Sequence, residues 1–114
     1  MRTVQSVVIA AGQSLSSSID LGETGSLAGV IMSDVWTAAG YQVMGSVDGQ
    51  NFYPMVDYQG SVVGQSSAAV NTMYATSIAD SVAARYIKIQ SGSAAAPVNQ
   101  VAAATLTIIS RKFN

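Results

Sequence analysis

Short runs rich in valine, isoleucine and threonine recur along this chain, and glycine, proline, asparagine or aspartate interrupts them about every 8–12 residues. Within the runs, apolar and polar side chains alternate. In 41–47, Tyr41, Val43 and Val47 share one parity, while Gln42, Met44 and Ser46 share the other. In 85–90, Ile87 and Ile89 oppose Tyr86, Lys88 and Gln90, and in 15–21, Leu15, Ile19 and Leu21 oppose serines and Asp20. A period of two sends one set of side chains into a core and the other outward, and no 12-residue window carries a helical stripe. Strands with one apolar face bury it by packing sheet against sheet. Eight runs qualify: 4–9, 15–21, 27–32, 41–47, 52–56, 70–78, 85–90 and 105–110. The sequence therefore predicts an all-β antiparallel β-sandwich of about eight strands, with two four-stranded sheets in a jelly-roll arrangement. Its 114 residues suit one domain over 1–114.

Two stretches fit this pattern less well. Residues 33–40 read as one helical turn with Ser33 or Asp34 as N-cap, and 68–76 is alanine-bearing and ambiguous. Residues 60–67 read as a Gly/Ser/Gln loop. Residues 91–104, low in complexity, read as a long connection to the last strand.

Charge narrows the function classes. Charged residues make up 10% of the chain, against about 25% in an ordinary soluble domain. Seventeen alanines, 16 serines and 10 glycines account for more than a third of it. A surface of small, uncharged side chains sheds few ion-hydration shells when a partner docks, which favours a protein packed against other subunits. A secreted β-domain with a Ser/Thr-rich exterior is the competing reading. The net charge is −1, and only Arg111 and Lys112 stand together, so nucleic-acid binding by counterion release is not expected. The apolar run 7–11 is too short for the core of a signal peptide, and nothing approaches the ~20 apolar residues of a membrane helix.

Catalytic parts are missing. With no histidine and no cysteine, Ser-His-Asp and Cys-His arrangements, disulfides and thiolate or imidazole metal sites are excluded. The six acids, Asp20, Glu23, Asp34, Asp48, Asp57 and Asp80, are scattered singly. Asp20 and Glu23 with backbone carbonyls could frame a calcium ion, although solvated acids at a turn are commoner. No phosphate-binding glycine loop opens a helix. The chain reads as a non-enzyme without a cofactor.

The densest cluster of signals is "SVDGQNFYPM", residues 46–55. Asp48-Gly49 favours the centre of a type I′ hairpin, and strand runs flank it. Pro54 lacks a ladder donor, which places its strand at a sheet edge or a bulge. Among the aromatics, Phe52 and Tyr86 read as core. Trp36, Tyr53, Tyr58 and Tyr74 are candidates for partner contact or a carbohydrate platform.

The segment "SVDGQNFYPM" resembles the strand–turn–aromatic segment of discoidin-like (galactose-binding-like) β-sandwiches, and "AARYIKIQ" (84–90 with the preceding alanine) resembles a later strand of that group. More widely, residues 33–55 and the tail "RYIK…SG…AAPV.Q.A..TLT" resemble small virion structural proteins of tailed bacteriophages. That resemblance covers about two-thirds of the chain and leaves its first strands unmatched. It implies a virion protein, chiefly a head decoration (cement) protein made in the host cytoplasm. Its partners would be the major capsid protein or other virion proteins, in a homo-oligomer or many lattice copies. A tail or baseplate sandwich and a host-glycan-binding module are the alternatives. No disulfide closes this sandwich as in many extracellular discoidin domains.

Overall fold

The computed structural model describes residues 1–112. Its strands are β1 (Arg2–Ile9), β2 (Ile19–Asp20), β3 (Gly25–Ile31), β4 (Tyr41–Ser46), β5 (Tyr53–Pro54), β6 (Gly64–Gln65), β7 (Met73–Ala75), β8 (Tyr86–Ser91) and β9 (Ala104–Lys112), with one 3₁₀ turn at Ile78–Asp80. One sheet has the order β1-β9-β3-β7, the other β2-β8-β4-β5, and β6 also pairs with β4. All pairs are antiparallel. Without β6, eight strands remain, and the chain switches sheets at every step from β1 to β4 and again from β7 to β9. That is the jelly-roll order.

Alternation explains the core. Val7 and Ile9 of β1, Leu27 and Val30 of β3, and Leu106 and Ile108 of β9 point inward from one sheet, and all are buried. Tyr41, Val43, Ile87 and Ile89 meet them from the other, with Ile19 and Leu21 closing the side. A β-bulge between Leu27 and Gly29 re-aims β3 without breaking its ladder to β9.

Serine and glutamine extend this interior. Gln100 is fully buried, and its Oε1 accepts from the Thr37 amide at 2.7 Å. Its Nε2 donates to the Thr37 carbonyl at 3.2 Å and to Ser91 Oγ at 2.8 Å. The Gln100 backbone meanwhile bonds Gly12 and Gln13. One side chain thus serves as a strand for the 35–39 segment, tying it to the 91–104 connection. Among the described residues no buried side-chain polar atom lacks a partner, which removes the desolvation cost of a polar interior.

The structure departs from the sequence expectations at definite places. Among the described residues nine strands form, because the 60–67 loop contributes β6. The run 15–21 keeps only the two-residue β2 and a lone bridge from Leu15 to Gln90. There Ser16 is buried and Leu15 is not, because Ser16 Oγ accepts from the Ile89 amide at 2.9 Å. Val47 falls beyond the end of β4 and is 76% exposed. Residues 33–40 form no helical turn; Ser33 Oγ instead accepts from the Val35 amide at 3.1 Å. Within 68–76 only β7 is regular. Phe52 and Tyr86 lie half-buried on the outer side of the sheet, with Lys88 Nζ 4.5 Å from the Phe52 ring centre.

Candidate interaction surface

The register of the first sheet builds a face that no single strand announces. Val4 of β1 lies opposite Ile109 of β9, which lies opposite Gly29 of β3, which lies opposite Ala75 of β7. The next row runs Ser6, Thr107, Ile31, Met73, and Val8 with Thr105 begins a third. Their neighbours in sequence, Val7, Ile108, Val30 and Tyr74, point to the core, so these rows point outward. Val4 is 61% and Met73 60% exposed, while Ile31, Thr107 and Ile109 are half-buried and Gly29 is buried. None of the ten carries a charge. Charge returns only at one end, where Arg2 pairs with Arg111.

The second sheet is different, because its outer side is covered by the chain itself. Gln42 Nε2 donates to the Met55 carbonyl, and Gln42 Oε1 accepts from the Ala94 amide. Gln90 Nε2 donates to the Ser14 carbonyl. The Tyr86 ring packs at Gly49, where an added Cβ would lie 3.4 Å from it. One broad face of the sandwich is therefore capped by loops, and the other is bare and uncharged.

The four candidate contact aromatics separate into two pairs. Trp36 packs on the core and donates Nε1–H to the Ala39 carbonyl at 3.0 Å. Tyr74 packs edge-on against Tyr41 at 6.1 Å, and its hydroxyl accepts from the Ala69 amide. Burial pushes the Tyr41 phenol up to about 12. Tyr53 and Tyr58, at 66% and 92%, are exposed. Tyr53 borders an apolar cleft of about 200 Å³ with Val47, Pro54, Met55, Ala83 and Ala84. A larger recess of about 600 Å³ lies between β6 and the loop after β8; Tyr41 is its one ionisable lining residue.

Asp48 and Gly49 lie in a connection longer than the two-residue type I′ turn expected. The Val47–Phe52 connection has six residues, and Gly49 has φ 78° while Asp48 does not take a positive φ. Asp48 Oδ1 accepts from the Gln50 and Asn51 amides and from Ser46 Oγ, and Oδ2 accepts from Asn51 Nδ2, all at 2.9 Å. These donors hold the carboxyl well below the usual carboxylate range, led by the Asn51 amide. Pro54 sits on an edge strand, as its missing donor requires.

Asp20 and Glu23 are occupied by Arg85. The guanidinium contacts Asp20 at 3.0 and 3.2 Å and also bonds Glu23. Asp20 is held below its ordinary value, chiefly by Arg85 and then by the Gly22 amide. A cation at this place would have to displace the guanidinium. Among the described residues no three acids gather into a metal-binding group.

With this geometry in hand, the comparisons are brief. No protein-family model matches the chain, and no curated protein matches it. The fold is shared with the SPBc2 prophage-derived protein YomS. Its crystal structure superposes with a TM-score of 0.55 and 13% identity, over 96% of this chain and 94% of that one.

The bare face escaped the sequence reading, which looked for aromatics. Its signal was present but dispersed: each of β1, β3, β7 and β9 contributes small or apolar residues at its outward parity.

Proposed function

We propose that this chain is a non-enzymatic structural protein of a phage particle, a decoration protein that binds the assembled capsid and stabilises it. The observation that carries the reading is the uncharged outer face of the β1-β9-β3-β7 sheet. A solvent-facing sheet ordinarily alternates apolar-in with polar-out. Here the outward rows are Val, Ile, Met, Ala, Gly, Ser and Thr, which lose little hydration when a second surface covers them. The fold shared with a prophage-derived protein supports a phage setting, as does the resemblance of the tail segment to small virion proteins.

The mechanism needs no chemistry. A protein that binds only the assembled lattice stabilises it by mass action, and many copies each contribute modestly. The major capsid protein is the partner, and the capsid exterior is the location. The test is co-sedimentation of purified protein with capsids stripped of decoration, followed by heating. Saturable binding with delayed capsid rupture supports the proposal, and no binding overturns it.

A second reading has one observation in its favour. Exposed Tyr53 beside its apolar cleft offers a stacking surface for a sugar ring, as a host-glycan module in a tail or baseplate would use. A glycan array probed with the purified chain tests it, and loss of signal in Tyr53→Ala would assign the surface.

A further inference from the structure

Among the described residues β1 is an edge strand with β9 as its only sheet neighbour, and its eight residues pair without a bulge from Arg2–Arg111 to Ile9–Ala104. The phase of the ladder is fixed at its end, where the Lys112 amide donates to the Met1 carbonyl at 2.8 Å. Hydrogen-bonded and non-hydrogen-bonded pairs alternate along an antiparallel ladder. Thr3, Gln5, Val7 and Ile9 therefore bond β9, while the amides and carbonyls of Arg2, Val4, Ser6 and Val8 face the open edge. Among the described residues nothing else hydrogen-bonds these backbone groups. The usual protections of an edge are also missing: no proline, no bulge, no lysine and no inward charge lies on β1.

We propose that this edge is a self-association site, where β1 of a second copy adds antiparallel across a two-fold axis centred on Gln5. In that register Arg2 of one copy lies opposite Val8 of the other, and Val4 lies opposite Ser6. Every outward amide and carbonyl of both strands then finds a partner. Charge selects this orientation. Arg2 is the only charged residue of β1, and antiparallel pairing separates the two copies of it by roughly 20 Å along the strands. That exceeds the ~8 Å screening length at physiological salt. A parallel addition would set Arg2 against Arg2 at one strand spacing. The two-fold also fits the bare face, since Val4, Ser6 and Val8 share its side. Pairing joins two four-stranded sheets into one eight-stranded surface whose uncharged rows run unbroken across the axis.

The chain lacks cysteine, so single cysteines report the register. The two copies of Gln5 would form a non-hydrogen-bonded pair with Cα atoms about 4.5 Å apart, within disulfide reach. Thr3 would face Val7 of the other copy and lie far from its own counterpart. Under mild oxidation Gln5→Cys gives a covalent dimer and Thr3→Cys does not. Sedimentation of the unmodified chain over a dilution series shows a reversible dimer. Ser6→Pro removes an outward amide that β9 does not use, and weakens the dimer at least tenfold. Ser6→Lys, which places two ammonium groups beside the axis and leaves the backbone intact, does the same if the proline variant folds poorly. A chain monomeric throughout the series overturns the proposal. So does a dimer whose Gln5→Cys form fails to cross-link, or one that Ser6→Pro and Ser6→Lys both leave unchanged while folded. All of these measurements use the purified chain alone, so their failure leaves capsid binding standing, and the reverse holds too.

Discussion

The hydroxyls of Ser26 and Ser81 lie 2.7 Å apart in the closed interior, 55 residues apart in the chain. Ser81 Oγ accepts from the Leu27 amide at 3.0 Å, and Ser26 Oγ donates to the Ile78 carbonyl at 2.6 Å. The short Ile78 contact favours one relay, Leu27 N–H to Ser81, Ser81 to Ser26 and Ser26 to Ile78, over donation from Ser81 to the Leu27 carbonyl at 3.4 Å. The relay pins the 3₁₀ turn onto β3 beside the bulge, where the ladder to β9 shifts.

Ser81→Ala therefore orphans a buried amide and removes the donor to Ser26. Each orphaned group costs about 1–3 kcal/mol. Urea unfolding should show a loss of at least ~2 kcal/mol with an unchanged m-value, and Ser26→Ala should add little further in the double variant. Additive losses would mean that the two hydroxyls act independently.

Gly64 lets β6 reach β4. It has φ 154°, and a Cβ there would lie 2.1 Å from the Tyr41 carbonyl oxygen. Gly64→Ala must push β6 off β4, with an expected cost of ~2 kcal/mol or more. Hydrogen exchange should speed at Val43, whose amide bonds the Val63 carbonyl, and stay unchanged in β1.

Asp48 predicts the acid limb of stability. Its folded carboxyl is depressed below the ordinary value of 3.8, so its contribution is complete above that pH. It is lost as pH falls below 3.8 toward the lower folded value. Asp20 is depressed in the same direction, chiefly by Arg85, and contributes with the same sign. Asp48→Ala should lower Tm by a few degrees at neutral pH and flatten the decline between about pH 4 and 2. An equally steep decline in the variant would place the acid sensitivity elsewhere.

A charge on the bare face should affect docking more than folding. Thr107 stands in the middle strand of that sheet between Ser6 and Ile31. Thr107 is half-buried, and exchanging its β-branched side chain within a strand costs up to about 1 kcal/mol. Thr107→Glu is expected to keep its Tm within a few degrees while capsid binding weakens at least tenfold. Lys88→Gln, on the outer side of the other sheet, should leave binding unaltered.

Much of the fold was legible in the sequence because alternation is a local signal. The inward parity of Val43, Ile87 and Ile89 follows from counting by two, and each is buried. The misses have non-local causes. Gly64 and Gln65 carry no strand signature, and their pairing is dictated by the Tyr41 and Gln42 backbones. Ser16 goes inside while Leu15 stays out because an amide 73 residues away needs an acceptor. Trp36 and Tyr74 were candidates for contact, yet both pack on the core. The bare face was illegible for the same reason: Val4, Ile109, Gly29 and Ala75 become neighbours only through three registers.

Cryo-electron microscopy of intact particles that carry this chain tests the central claim most directly. The account predicts sandwich-shaped density at symmetric positions on the capsid exterior, with the β1-β9-β3-β7 face against the major capsid protein and the loop-capped sheet outward. Density confined to the tail, or heads bearing the chain with that face turned to solvent, would contradict it.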